Sequence, residues 1–317
     1  MARKKILLDT DIGSDVDDAV ALGLILAYAE ELELVGVTTV AGDTELRARI
    51  AARLLGLRGA TEVPVFEGER APRMGAQERF AWFGHEPRMA EGEGPAAKIH
   101  AETAAEAIVG LAKEYEELEI VAIGPLTNLA AALAIDPDLP SRVRRLTIMG
   151  GHIRRVAIGG FVCKPGIDYN LCSDPEATCA VLGAGFETTL VTADVTLSTW
   201  LRVSDLERLD AGGPLGRTLA KQIRIWAPVQ HEIFTGLGGE VEPDNVAFLH
   251  DPLTIHAVVD PTPFHFEDLR IVTTIERGTL RTHEVDASLG IGAPMRVATA
   301  VEAAAAERAI VERLATL

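Results

Sequence analysis

The chain is short of positive charge and of cysteine, and each shortage removes a class of function. Lys and Arg number 30 against 47 Asp and Glu in 317 residues, a net charge of −17. Phosphate backbones and anionic membrane surfaces are held by clustered Lys and Arg, so neither nucleic acid nor a membrane is an expected partner. The acidity instead favours solubility and attracts cations. The three cysteines, Cys163, Cys172 and Cys179, form no CxxC pair, and an odd count fits a reducing, cytoplasmic compartment. Cys172 and Cys179 read as small buried hydrophobes. No zinc pattern is present, because His85-Glu86 and His231-Glu232 both lack the second histidine of HExxH. No apolar run approaches the roughly 18 residues of a membrane span. Too few apolar residues separate Lys5 from Asp9 for a secretory leader. With no internal repeat and no linker-like shift in composition, residues 1–317 read as a single domain.

What the chain does have is acid in one place. Asp9-Thr10-Asp11-Ile12-Gly13-Ser14-Asp15-Val16-Asp17-Asp18 carries five carboxylates between an apolar strand, Ile6-Leu7-Leu8, and an apolar helix from Ala19 to Ala29. Five like charges at such a junction repel one another and are partly desolvated. A hard divalent cation resolves this, since Ca²⁺ takes six to eight oxygen ligands, and the helix start favours Asp17 and Asp18. Asp15 or Asp17 alone could equally be a helix cap. An EF-hand is excluded, because Gly13 is misplaced and Val20 stands where that loop needs Glu. A strand-end Asp-x-Asp also opens phosphoaspartyl phosphatases, with the first Asp as nucleophile.

Strand-like and helix-like segments alternate along the chain. Strands are expected at 6–9, 34–40, 119–123, 146–149 and 188–191. Helices are expected at 18–29, 44–55, 101–115, 126–134, 175–182 and 301–314. This alternation predicts an α/β fold, a mainly parallel central sheet flanked by helices. Residues 64–98 show little periodicity, and with Trp82, Phe83 and His85 they read as a lid or binding loop, or as plain surface. Beyond Val241 a strand is expected in RIVTTI (270–275), and boundaries are otherwise poorly marked.

Ligands of open parallel sheets bind outside the carboxyl ends of the strands, and polar residues recur there. Asp9 and Asp11 follow the first strand, Thr38-Thr39 and Gly42-Asp43 the second, and Gly124 to Asn128 the next. Gly150-Gly151 and Asp194-Val195-Thr196 follow later strands, and His250-Asp251-Pro252 interrupts an apolar stretch. Carboxylates, amides and one histidine around a common crevice suit metal-assisted chemistry on a polyhydroxylated small molecule.

These motifs, in this order and over nearly the whole chain, resemble the inosine–uridine-type nucleoside hydrolases. They are DxDxG (Asp9 to Gly13), DDAxA (Asp17 to Ala21), TTVxG (Thr38 to Gly42) and GxLTNxA (Gly124 to Ala130). MGG (Met149 to Gly151), NxxxDPEA (Asn170 to Ala177) and HDP (His250 to Pro252) complete the set. The resemblance implies a Rossmann-like domain with Ca²⁺ at the pocket floor, where water attacks C1′ of a ribonucleoside and releases the base. It implies Asp11, Asp18, Asp251 and the Thr127 carbonyl as metal ligands, with Asp11 also the base that takes the water proton. Asp17, Asp43, Asp168, Asn170 and His85 become substrate contacts, and His250 a residue beside the leaving base. Asp9 becomes an orienting group for the loop. A cytoplasmic homodimer or homotetramer acting on a small nucleoside is also implied.

The chemistry agrees with that implication. N-glycoside cleavage passes through an oxocarbenium-like state that nearby negative charge stabilises, and a departing base needs a proton or hydrogen bond, for which His is suited. The chain also departs from the family. Ile12 replaces a proline, the loop before Asp17 is longer and contributes Asp15, Asp43 replaces an asparagine, and Asp168 replaces a glutamate. A second asparagine expected upstream of Asn170 has no counterpart in Gly159 to Gly166, which leaves recognition of the sugar's 5′-hydroxyl open. Two other functions stay open: a Mg²⁺-dependent phosphatase using Asp9, and a non-catalytic Ca²⁺-dependent riboside-binding protein.

Overall fold

Ile6, Leu7 and Leu8 are wholly buried, and the strand they centre lies in the interior of the main sheet. The computed structural model describes residues 3–74, 81, 83–158, 161–163, 165 and 168–317. The first strands are β1 (Lys4–Thr10), β2 (Leu32–Thr39), β3 (Val65–Glu67), β4 (Ile99–His100), β5 (Glu119–Ala122) and β6 (Arg145–Met149). A short hairpin, β7 (Val156–Ile158) and β8 (Phe161–Cys163), precedes β9 (Thr188–Val191). A second antiparallel pair is β10 (Trp200–Arg202) with β11 (Asn245–Phe248). The chain closes with β12 (Phe264–Glu276), β13 (Thr279–Val285) and β14 (Ala293–Val301). Among the described residues, ten strands form one sheet in the order β13-β12-β14-β9-β6-β5-β1-β2-β3-β4. Pairing is parallel from β14 to β4, and β12 runs antiparallel to both its neighbours. The fold is thus a single-domain α/β fold with a large, mostly parallel sheet, as the alternation predicts.

Helix limits follow local chemistry. The helix Asp17–Ala27 is buried at every residue, which is why its sequence is apolar all round. The segment expected from 101 begins at Ala104, because Thr103 caps it and Glu106 closes the capping box. The helix Thr44–Arg58 starts where the Asp43 side chain accepts from the Leu46 amide.

Three readings are corrected. The helix Pro214–Gly236, with Pro228 inside it, was not expected. A mid-helix proline removes a backbone donor and argues for a break, yet Leu215, Leu219, Ile223 and Trp226 repeat along one buried face and outweigh that loss. Residues 64–98 are not irregular throughout, since they contribute β3 to the sheet and the short helix Glu86–Met89. Cys179 is exposed and Cys172 only half-buried, donating to the Leu280 carbonyl at 3.0 Å. No helix among the described residues is long and apolar enough to cross a membrane.

Candidate active site

The parallel strands end on one edge of the sheet, and the turn leaving β1 places acid there. Thr10 donates its hydroxyl to the Asp18 carboxylate and accepts from the Ile12 amide at 3.1 Å. Gly13, at φ +104°, reverses the chain in a conformation other residues resist. Ser14 then donates to Asp11 Oδ2 at 2.8 Å. Asp15 Oδ1 accepts from the Asp17 amide at 2.7 Å and Asp17 Oδ1 from the Asp18 amide at 3.1 Å. The acids therefore satisfy the helix start as caps do, and still bring carboxylate oxygens of Asp15, Asp17 and Asp18 within 4.8 Å of one another. Asp251 donates its amide to Asp17 Oδ2 at 3.1 Å, and with Asp11 it lines the same cavity.

Burial pushes the carboxyls of Asp11, Asp15, Asp18 and Asp251 above the usual carboxylate range, and mutual repulsion adds to this for Asp15, Asp18 and Asp251. A desolvated, all-oxygen donor set that resists ionisation without a counter-charge fits a hard divalent cation. Arg47 is buried nearby, but its guanidinium serves the backbone. It donates to the carbonyls of Asp11, Ala41 (2.6 Å) and Ile12 (3.0 Å) and to the Ser14 hydroxyl (2.9 Å). Gly124, after β5, abuts this loop so closely that a Cβ there would lie 2.9 Å from both Asp11 N and Asp11 Oδ1.

Asp9 is wholly buried and does not line the cavity. Its Oδ1 accepts from Thr38 at 2.6 Å and Asn128 at 2.7 Å, which ties the ends of β1, β2 and the segment after β5 together. A buried side chain held in this way has no access to substrate, so the phosphatase reading is withdrawn.

Above the acids is a cavity of about 570 Å³. Trp226, Ile233 and Phe234 of the helix Pro214–Gly236, Leu237 just after it, Phe248 of β11 and Phe83 make its walls apolar. Gln230 is internally satisfied: its Oε1 accepts from Trp226 Nε1 (3.3 Å) and the Phe248 amide (3.0 Å), and its Nε2 donates to Asn245 (3.0 Å). His250 lines the cavity with Nδ1 2.7 Å from the Thr196 hydroxyl. Burial pushes its pKa down to about 4, so the ring is neutral at pH 7 rather than titrating there, as its residue type alone suggests.

Asn170 faces the cavity, with its Nδ2 donating to the carbonyls of Ile123 (2.9 Å) and Met149 (3.2 Å). Asp168 caps the following helix through the Leu171 amide at 2.9 Å, and burial raises its pKa to about 6. Asp11, Asp17, Asp18, Asp168, Asn170, His250 and Asp251 thus converge, as expected from sequence. Asp43, His85 and Thr127 are not among the lining residues. Asp43 is committed to capping its helix and lies 3.5 Å from Arg70. His85 sits in a layer behind the wall, its ring 5.2 Å from that of Trp226 and 6.2 Å from that of Phe83. Thr127 donates its hydroxyl to Asp174 at 2.8 Å. Trp82 lies outside the described residues, as do residues 159, 160, 164 and 166 of the segment where the second asparagine was sought. Sequence reasoning missed Ser14, Arg47, His152, Trp226 and Phe234. Only the four-residue spacing of apolar residues in 215–237 could have signalled the last two.

Comparison with known proteins gives a consistent answer. A family profile described as inosine-uridine preferring nucleoside hydrolase matches residues 6–308. Uridine nucleosidase 1 of Arabidopsis thaliana is 33% identical over 279 residues, covering 83% of this chain and 76% of that protein. A pyrimidine-specific ribonucleoside hydrolase of Enterobacter sp. (strain 638) is 33% identical over 281 residues, covering 86% and 82%. Among solved structures, the plant nucleoside hydrolase PpNRh1 superposes with a TM-score of 0.85 at 26% identity, covering 100% of both chains.

Proposed function

The chain belongs to the inosine-uridine preferring nucleoside hydrolase family and is a ribonucleoside N-glycosidase, and within that activity we propose a divalent-cation-dependent enzyme, with Ca²⁺ as the ion and uridine as the first substrate to assay. The observation that carries this reading is the acid floor, Asp11 to Asp18 with Asp251, beneath an apolar-walled cavity. Uridine is suggested by the activities named for the relatives.

Asp11, Asp18, Asp251 and the Thr127 carbonyl would hold the cation, and Asp15 joins them on its proximity to Asp17 and Asp18. When bound, such an ion lowers the pKa of water and fixes vicinal hydroxyls. Asp11, anchored by Ser14 and by the Gly124 backbone, accepts the proton of the attacking water. Asp17 accepts from the ribose 2′-hydroxyl. With its amide nitrogen committed to the backbone, Asn170 presents its carbonyl oxygen to a sugar hydroxyl. The carboxylates favour the positive charge that develops on the ribosyl ring. The base leaves toward the aromatic wall. If the Thr196 hydroxyl donates to Nδ1, the neutral ring of His250 carries its proton on Nε2 and can donate to that base. A cytoplasmic homodimer or homotetramer remains the expected form.

The test is release of free ribose from uridine by the purified protein, before and after chelation and after repletion with Ca²⁺ or Mg²⁺. Chelation should abolish release and Ca²⁺ restore it. Full activity in excess chelator would overturn the metal assignment. Tight Ca²⁺-dependent riboside binding without any ribose release would favour the non-catalytic alternative.

A further inference from the structure

Two helices begin at the acid floor, Asp17–Ala27 with Asp17 and Asp18, and His250–Val259 with His250 and Asp251. Both end roughly 15 Å away, at a second cavity of about 430 Å³. Tyr28 caps the first helix there and Asp260 the second, and the last turn of the helix Ala303–Leu314 adds Glu312 and Arg313. Three helix C-termini thus meet, and their terminal carbonyls and dipoles favour positive charge. The side chains do too. Glu31, Asp260 and Glu312 line the cavity against a single cation, Arg313, among the described residues. Arg313 is already engaged, donating to Glu31 Oε1 at 2.7 Å with its guanidinium 4.4 Å from the centre of the Tyr28 ring. Lys4 serves the Val258 carbonyl at 2.6 Å and does not line the cavity. Hydrogen bonds from Thr262 hold Asp260 below the usual carboxylate range, so it is ionised at pH 7.

Two acceptors at this cavity lack donors. His256 lines it and is 2% exposed; its Nδ1 lies 3.0 Å from the Tyr28 hydroxyl, while Nε2 has no hydrogen-bond partner among the described residues. Glu31 Oε2 is likewise buried and unpartnered. Such atoms are costly unless something satisfies them. Burial lowers the His256 pKa, so the ring is neutral at pH 7.

We propose that this cavity binds a short aliphatic diamine, whose ammonium groups are held by the unpartnered atoms of His256 and Glu31 and by the carboxylates of Asp260 and Glu312. The site is remote from the acid floor, and the inference does not rest on the hydrolase reading. The charges match, because three carboxylates less one guanidinium leave two negative charges for a dication. The hydrogen bonding matches as well. An ammonium has three donors and no acceptor, and with Nδ1–H donating to the Tyr28 hydroxyl, His256 Nε2 offers a lone pair. The methylene chain lies against Val259, Ala309 and the Tyr28 ring. A single metal ion fits less well. Among the described residues, only Asp15, Asp17 and Asp18 form a group of three or more His, Cys, Asp or Glu whose ligand atoms lie within 4.8 Å of one another. The acids here are too dispersed to share one ion.

The experiment titrates putrescine into the Ca²⁺-repleted protein by calorimetry, at physiological salt so that diffuse attraction to the acidic surface is screened. Butane-1,4-diol and succinate are run in parallel, and wild type is compared with His256→Phe and Glu31→Gln, each checked by circular dichroism. Putrescine should bind wild type one-to-one, and the diol and succinate should not. Each variant should weaken binding about 10- to 100-fold, as expected for loss of a hydrogen bond to a charged group. Glu31 is only half-buried, so Glu31→Gln keeps the test decisive if His256→Phe fails to fold. No binding of putrescine to wild type overturns the inference. So does unchanged affinity in a folded variant, which would mean diffuse binding elsewhere on the chain. Succinate binding more tightly than putrescine would overturn it too, by showing that Arg313 governs the cavity. Ribose release, which reports on the acid floor, tests the hydrolase reading separately.

Discussion

Gly124→Ala isolates the positioning of Asp11 from its chemistry. The added methyl would lie 2.9 Å from Asp11 N, Asp11 Oδ1 and Val40 Cγ1. Carbon contacts are comfortable at about 3.5 Å and beyond, so the loop must yield by roughly 0.5 Å. The backbone nitrogen is not the loose end of a side chain. It belongs to the turn that Arg47 holds by the carbonyls of Asp11 and Ile12. The φ of Gly124 is not in the left-handed region, so the effect is steric alone. Overpacking of this kind costs about 1–3 kcal/mol, a fall in Tm of about 3–9 °C at about 3 °C per kcal/mol. A misplacement near 1 Å at a reacting group can cost about 10²-fold, so half that shift should reduce kcat about tenfold. Gly110→Ala is the control. It lies in the helix Ala104–Glu114 with nothing within 4 Å of an added Cβ. It should gain about 0.5–1 kcal/mol from helix propensity and leave kcat unchanged. Calorimetry and ribose release on both variants decide the matter. A Gly124→Ala enzyme with wild-type kcat and Tm would refute the claim that this backbone approach fixes the base.

Asp11→Asn keeps the size of the side chain and an acceptor for Ser14 but cannot take a proton, so kcat should fall about 10²–10⁴-fold, and retention within tenfold would remove Asp11 from the base role. Asp43→Ala should lower stability by about 0.5–2 kcal/mol through the lost cap with kcat/KM for uridine within a factor of two; a large KM effect would restore it as a substrate contact. Burial raises the pKa of Asp168 from 3.8 to about 6, so the folded state favours the protonated form. Its contribution is fully present below about pH 4 and lost as the pH rises through 6, a loss of about 3 kcal/mol. Asp168→Asn should therefore match wild type near pH 4 and gain relative stability up to pH 8, read by denaturant unfolding at several pH values. A pH-independent difference would contradict the assigned cause.

The acid floor was legible because its signal is local. Consecutive aspartates between a buried strand and a buried helix have few structural uses, and the parallel topology carries later strand-end residues to them. The longer loop was not legible in the same way. Asp15 serves the Asp17 amide and also approaches Asp17 and Asp18, so the hydrogen bond of a cap and the proximity a ligand needs, posed as alternatives from sequence, coexist in one geometry. Asp43 shows the opposite outcome, where the plain reading as a cap is what the fold uses. The aromatic wall was hidden by Pro228, whose local cost is overridden by burial of the helix around it. The antiparallel edge β12–β14 was obscured because its strands are only half-buried and lack continuous apolar runs.

Arg47 shows how the site tolerates so much acid without neutralising it. A guanidinium paired directly with Asp11 or Asp18 would lower their pKa, but it would also occupy carboxylate oxygens at the cavity floor. Here its donors go to the carbonyls of Asp11, Ile12 and Ala41 and to Ser14. Ala41 itself is held at φ +69°, a strained position for a residue with a Cβ that persists only when the surroundings enforce it. The positive charge acts on the carboxylates through space, opposing the effect of burial on Asp11 and Asp18, while the hydrogen bonds fix the loop. The carboxylate oxygens stay directed at the cavity, and the apolar walls keep the local dielectric low where charge develops on the sugar. Acid floor and apolar wall are therefore complementary: each would be a poor site alone, and Arg47 allows the floor to fold with its charges lining the cavity.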